Sequence, residues 1–140
     1  MGYREKSCSK NKGIVAFNAR LPKALQNMPA NAIVVFGKVT LNAGNAYDTR
    51  TGKFTAPNDE IYSFTWTILT GPGNTFQTRL IQNGNEVCFN HVFGRNQNNY
   101  ETGSTTCIIR MKKNDRVWIN MHLKGDYAYK DWSSFSGFQL

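Results

Sequence analysis

Nucleophilic or acid–base catalysis needs a reactive group with a partner at a defined spacing. The 140-residue chain offers His91, His122, the cysteines Cys8, Cys88 and Cys107, and scattered carboxylates. None of these falls into a diagnostic spacing, and the cysteines form neither a CxxC nor a zinc-ligand pattern. The sequence is therefore read as non-enzymatic and without a cofactor. Residues suited to recognition are better represented. The segment 124–133 (KGDYAYKDWS) groups Asp126, Tyr127, Tyr129, Lys130, Asp131 and Trp132. Aromatic faces cover the C–H surfaces of sugars and planar polar groups bond their hydroxyls, and this segment carries both. A second segment, 95–104 (RNQNNYETGS), offers Arg95, Asn98 and Tyr100 among amides that both donate and accept. The ordinary alternatives are rings packed into a fold end or subunit contact for the first segment, and a solvated hairpin for the second.

These two segments must be held by the elements around them, and those elements are strands. Strand character recurs at 13–21, 32–41, 60–69, 75–81, 86–93, 104–111, 116–123 and 133–140, the spacing of an all-β sandwich or barrel. Turn sequences separate the strands, among them Gly71-Pro72-Gly73-Asn74, Asn83-Gly84-Asn85 and Lys113-Asn114-Asp115. Tyr62, Phe64, Trp66 and Ile68 share one face while Ser63, Thr65 and Thr67 share the other. Val117, Ile119, Met121 and Leu123 alternate with Trp118, Asn120 and His122, whose face is partly apolar too. Such two-sided strands suit a sandwich that also buries part of its exterior between subunits. The best helical stretch, 22–28, is short and runs into Pro29.

The net charge of +8 invites acidic partners such as lipopolysaccharide, sulfated glycans or nucleic acid. Its distribution weakens that inference: Arg4, Lys6, Lys10, Lys12, Arg20 and Lys23 face only Glu5 in the first 23 positions, so five of the eight net charges lie near the start. Nucleic acid is not counted among the partners. The remaining cluster is Arg110, Lys112, Lys113 and Arg116, read as a solvated strand end that can also attract anions. No run of apolar residues is long enough for a membrane-spanning helix. Residues 1–12 are read as a polar basic tail ahead of a domain at 13–140. Outside the cell, Cys88 and Cys107 can pair while Cys8 stays free or links chains; in a reducing compartment they are small buried hydrophobes.

The order Phe36, Asn42, Tyr47, Phe54, Tyr62 and Phe64 resembles the aromatic signature of the complement C1q globular domain family. Glu60 stands where that signature has Gly, which suggests a locally different backbone, and Trp66 where it has Phe or Tyr. Val15-Ala16-Phe17 with Leu21, Asn114-Asp115-Arg116-Val117-Trp118 and the closing Phe135-Ser136-Gly137-Phe138 are similar to the family's strands along most of the chain.

The resemblance implies a ten-stranded jelly-roll β-sandwich of the C1q and tumour necrosis factor kind, assembled as a homotrimer. No collagen repeat precedes the domain, so the chain looks like the stand-alone, bivalve-type members. Those act as secreted innate-immune pattern-recognition proteins for microbial polysaccharide, lipopolysaccharide or other glycans. The competing expectations are a cytokine-like trimeric ligand for a protein receptor and a purely structural trimerisation head. Some relatives bind calcium in loops around the strand that here begins at Thr75. The resemblance puts Asn74 and Asn83 at those places, and neutral amides are poorer calcium ligands than carboxylates.

Overall fold

A computed structural model describes residues 13–94 and 98–140. Among them are twelve strands and no helix: β1 (Ala16–Arg20), β2 (Leu25–Met28), β3 (Lys38–Ala43), β4 (Tyr47–Asp48), β5 (Lys53–Thr55), β6 (Glu60–Thr70), β7 (Thr75–Gln82), β8 (Asn85–Phe93), β9 (Glu101–Met111), β10 (Arg116–Met121), β11 (Gly125–Ala128) and β12 (Ser134–Gln139). Ten of them form two five-stranded antiparallel sheets, ordered β9-β6-β12-β1-β3 and β4-β5-β10-β7-β8, and β11 pairs with β2 in a small ribbon. The fold is the expected ten-stranded jelly roll with that ribbon added.

The period-2 pattern decides which side chains meet between the sheets. On β6, Tyr62, Phe64, Trp66 and Ile68 are fully buried, and Val117 and Ile119 face them from β10. Phe17 stacks on Tyr47 at 4.6 Å between ring centroids and meets the edge of Phe135 at 4.9 Å, while Phe54 meets the edge of Phe64 at 5.2 Å. Each such pair adds about 0.5–1.5 kcal/mol beyond the area it buries. Two buried polar groups are paired inside the core: the Trp66 indole N–H donates to the Thr78 hydroxyl at 2.7 Å, and the Tyr47 hydroxyl to the Phe36 carbonyl at 2.7 Å. The two-residue turn Asn83-Gly84, with φ of 51° and 94°, closes the β7–β8 hairpin in the doubly positive geometry that matches strand twist.

Several sequence expectations need correction. The segment 32–41 is not one strand. Ile33 bridges Asn120 in the second sheet and the Val34 N–H donates to the Ile119 carbonyl, and the chain then crosses to the first sheet as β3. Residues 22–28 contain no helix but the strand β2, which finds its partner in β11. β10 ends at Met121, and Leu123, expected on the core face, is half exposed. Glu60 causes no backbone irregularity: it opens β6 in regular register with Met111. Residues 1–12, including Cys8, lie outside the described residues.

Cys88 and Cys107 form a disulfide, with Cα atoms 6.3 Å apart. The strands that carry them, β8 and β9, are edge strands of different sheets, so the bond joins the two layers at one side of the sandwich. The two ends of the sandwich differ. Gln139 and Leu140 donate backbone N–H groups to Val15 and Ile61, placing both ends of the described chain together. At the far end, Glu101 pairs with Thr70, Leu21 donates to Ser133, and Tyr129 donates to Leu69.

Candidate functional site

The far end gathers residues from three parts of the chain. Leu69 is the last outward-facing side chain of β6, Tyr100 and Thr102 flank the start of β9, and Tyr129 and Trp132 follow β11. Together they line a cavity of about 410 Å³, within the usual range for a small-molecule site. Tyr100 and Tyr129 meet edge to face at 5.4 Å, and Tyr127 lies against Tyr129 at 4.6 Å. Trp132 is 71% exposed and Tyr100 is 60% exposed, so the wall is aromatic surface held open to water.

Local geometry explains why these rings stand where they do. Gly71 has no side chain, and a Cβ there would come within 3.0 Å of the Tyr129 hydroxyl. At Gly94 a Cβ would fall 2.9 Å from the Asn74 carbonyl oxygen, in a knot where the Gly94 N–H donates to Asn74 and the Gly73 N–H to Gly94. The loops before β7 and after β8 are thus tied together beneath the pocket. Asp131 sits at φ 65°, a conformation that Asp tolerates, in a turn where the Trp132 N–H donates to the Lys130 carbonyl at 2.7 Å. The Ser133 hydroxyl is buried and accepts from the Leu69 N–H at 3.1 Å, which fixes the segment against β6.

Charge at the site is largely spoken for. The Asp126 carboxylate accepts the Thr75 N–H at 2.9 Å and so holds a loop rather than a ligand. Asp131 pairs with Lys38 at 3.1 Å, and the hydrogen bond from that ammonium holds its carboxyl below the usual range. Desolvation pushes the Tyr129 phenol upward, and the neighbouring Tyr100 adds to the shift. Its hydroxyl therefore stays protonated, a donor as well as an acceptor, through the physiological range.

The structure brings Tyr100 from one sequence candidate and Tyr129 and Trp132 from the other into one pocket. Tyr127 backs it, and Lys130, Asp131 and Asn98 are nearby in the chain but not among its lining residues. The segment 95–104 is a shorter loop than expected, since β9 begins at Glu101, and Arg95 lies outside the described residues. The segment 124–133 likewise contains the strand β11. Leu69 and Thr102 were not singled out from sequence. Leu69 was detectable as the one apolar residue following Ser63, Thr65 and Thr67 on the outward face of β6. Asn74 and Asn83 cannot share an ion: they flank the eight-residue β7 at opposite ends, roughly 25–30 Å apart at the rise of a strand.

The histidines do not form a reactive pair. His91 stacks on Phe93 at 5.6 Å, and the His122 Nδ1 faces Arg79 at 3.3 Å. Among the described residues no group of three His, Cys, Asp or Glu converges as a metal site would require.

Two packed antiparallel sheets of this kind are the jelly-roll fold of C1q and tumour necrosis factor domains. The C1q domain model matches residues 16–140, and the chain belongs to that family. It is 32% identical over 130 residues to mouse complement C1q tumor necrosis factor-related protein 3, covering 90% of this chain and 51% of that protein. It is 31% identical over 131 residues to the heavy metal-binding protein HIP of Mytilus edulis, covering 90% of this chain and 60% of that protein. The chain thus spans between half and two thirds of the length of these relatives. Among solved structures, the globular domain of zebrafish complement 1qA superposes with a TM-score of 0.73 at 20% identity, covering 89% of this chain and 95% of the other. The Eiger TNF of S. frugiperda gives 0.75 at 10% identity, covering 91% and 93%. These two likenesses concern the fold.

Proposed function

We propose that the chain is a secreted, non-enzymatic recognition protein of innate immunity that binds microbial polysaccharide, lipopolysaccharide or other glycans through the end pocket of a homotrimeric head. The observation that carries this reading is the aromatic pocket of Tyr100, Tyr129 and Trp132. Large rings left in water cost free energy unless a partner covers them. Here they present flat faces for sugar C–H groups, with the Tyr129 hydroxyl and Thr102 able to bond hydroxyls. The pocket also lies at the opposite end of the sandwich from Val15 and Leu140. The disulfide supports an oxidising, extracellular setting.

A trimer is favoured by two exposed apolar features besides the pocket. Val87, Phe89 and Phe93 line the outward face of the edge strand β8, and the exposed Ile108 and Phe138 stand on either side of the buried Ser63, in one row across β9, β6 and β12. Packing the first on the second of a neighbouring copy removes both from water. Three identical pockets then act together on a repetitive surface, and weak single contacts become useful avidity.

The test is a glycan and microbial-polysaccharide array, run with calcium and with chelator, on wild type, Trp132→Ala and a monomeric variant. Selective binding that Trp132→Ala abolishes, and that the monomer loses by about 100-fold on dense surfaces, is the expected result. A blank array from a folded trimer overturns it. Because exposed Tyr and Trp also form hot spots for protein partners, saturable binding to host cells would then assign the pocket to a cytokine-like receptor contact.

A further inference from the structure

We propose a second binding site, separate from the aromatic pocket, on the outer face of the second sheet, where Lys53, Arg116 and Thr55 receive a sulfate or phosphate ester. These three residues, Thr51 and Asp48 line a cavity of about 210 Å³. That is smaller than the roughly 300 Å³ at which drug-sized sites begin, so it suits one charged group rather than a whole oligosaccharide. The alternation of β4, β5 and β10 builds it: Tyr47, Phe54 and Val117 point into the core, which turns Asp48, Lys53, Thr55, Arg116 and Trp118 outward.

The charges there are unbalanced in one direction. Among the described residues neither Lys53 nor Arg116 has a carboxylate partner, whereas the three ion pairs take up Asp131, Asp48 and Glu86. Asp48 stands cross-strand from Lys53 and would by itself repel an anion. Its carboxylate accepts the Arg50 N–H at 2.8 Å and lies 3.7 Å from the exposed Arg50 guanidinium, which offsets part of its charge and leaves the two cations Lys53 and Arg116 in excess. Asp115, next to Arg116, is likewise engaged, accepting the Lys112 N–H at 2.9 Å.

Lys53 is also held in position. Its ammonium sits 4.4 Å from the centre of the Trp118 ring, which keeps a flexible side chain over the pocket without neutralising it. The Thr51 hydroxyl accepts the Lys53 N–H at 3.3 Å and bonds to the Asp48 carboxylate, so a tetrahedral oxyanion can take hydrogen bonds from the ammonium, the Arg116 guanidinium and the Thr55 hydroxyl. Sulfate and phosphate esters share this chemistry. The site is formed at the β4 edge of a sheet whose other edge is β8, so it does not depend on the proposed trimer contact or on the aromatic pocket.

The experiment titrates the labelled full chain with a heparin-derived tetrasaccharide, its desulfated counterpart and mannose 6-phosphate at physiological ionic strength, reading backbone amide shifts. The sulfated or the phosphorylated probe is expected to move the amides of Thr51, Lys53, Thr55 and Arg116, and the identity of that probe tells which ester the site takes. Lys53→Gln with Arg116→Gln should weaken binding about tenfold, whereas Lys112→Gln with Lys113→Gln, an equal loss of charge, should change it less than about twofold. Thermal melts confirm that both variants fold. Trp132→Ala should leave these shifts intact, which separates this site from the glycan reading. The proposal is overturned if neither charged probe shifts those amides, if the desulfated sugar binds as tightly as the sulfated one, or if both double variants weaken binding equally.

Discussion

The chain uses aromatic rings in two regions, and uses them oppositely. Between the sheets, Phe17, Tyr47, Phe54, Phe64 and Phe135 touch one another on several sides and are withdrawn from water. At the far end, Tyr100, Tyr127 and Tyr129 touch mainly one another, and Trp132 stands out from the surface. The first group is fixed by strands on both sides; the second is fixed by backbone knots around Gly71, Gly94 and Ser133. Burial makes the first group a source of stability. Support without cover leaves the second group's surface for a partner.

The sharpest way to break the contrast is truncation. Phe135→Ala should destabilise the fold by about 3–5 kcal/mol, read from chemical denaturation, because the cavity it leaves between two sheets cannot close. Opening the side staple comes next: Cys88→Ala with Cys107→Ala should cost about 3 kcal/mol, since the bond spans 19 positions in sequence. Trp132→Ala should alter stability by less than about 0.5 kcal/mol, as expected for an exposed site, while removing ligand binding. A large stability loss there would erase the distinction between the two regions.

The smallest effect concerns pH. Asp131 has its pKa lowered by the Lys38 hydrogen bond, so the contribution of that pair is present above the ordinary carboxylate range and disappears as pH falls through the lowered value. Asp131→Asn, which tolerates the same positive φ, should therefore melt slightly below wild type at neutral pH and together with it in acid.

What the sequence disclosed follows the range of the interactions. The alternation in β6 and the Asn-Gly turn are local, and they fixed strand faces and a hairpin correctly. Failures came where a distant partner decides. Leu25–Met28 has little strand character alone and becomes a strand because Gly125–Ala128 lies beside it. The segment after Ile33 reads as one strand, yet changes sheets because each half finds a different neighbour. The pocket was legible as two separate segments. That Tyr100 meets Tyr129 depends on β9 and the segment after β11 converging on the end of β6, which no local pattern encodes. That Lys53 and Arg116 line one cavity is hidden for the same reason, since it depends on β5 lying beside β10.

The bond between Cys88 and Cys107 also makes a closed covalent ring of the stretch that carries Tyr100. A protease that cuts once within this ring produces two chains in the sequence sense but still one molecule, whose halves stay held at the sheet edges until a reductant arrives. In surroundings rich in proteases, the head can therefore take a nick beside its own pocket and remain a single particle.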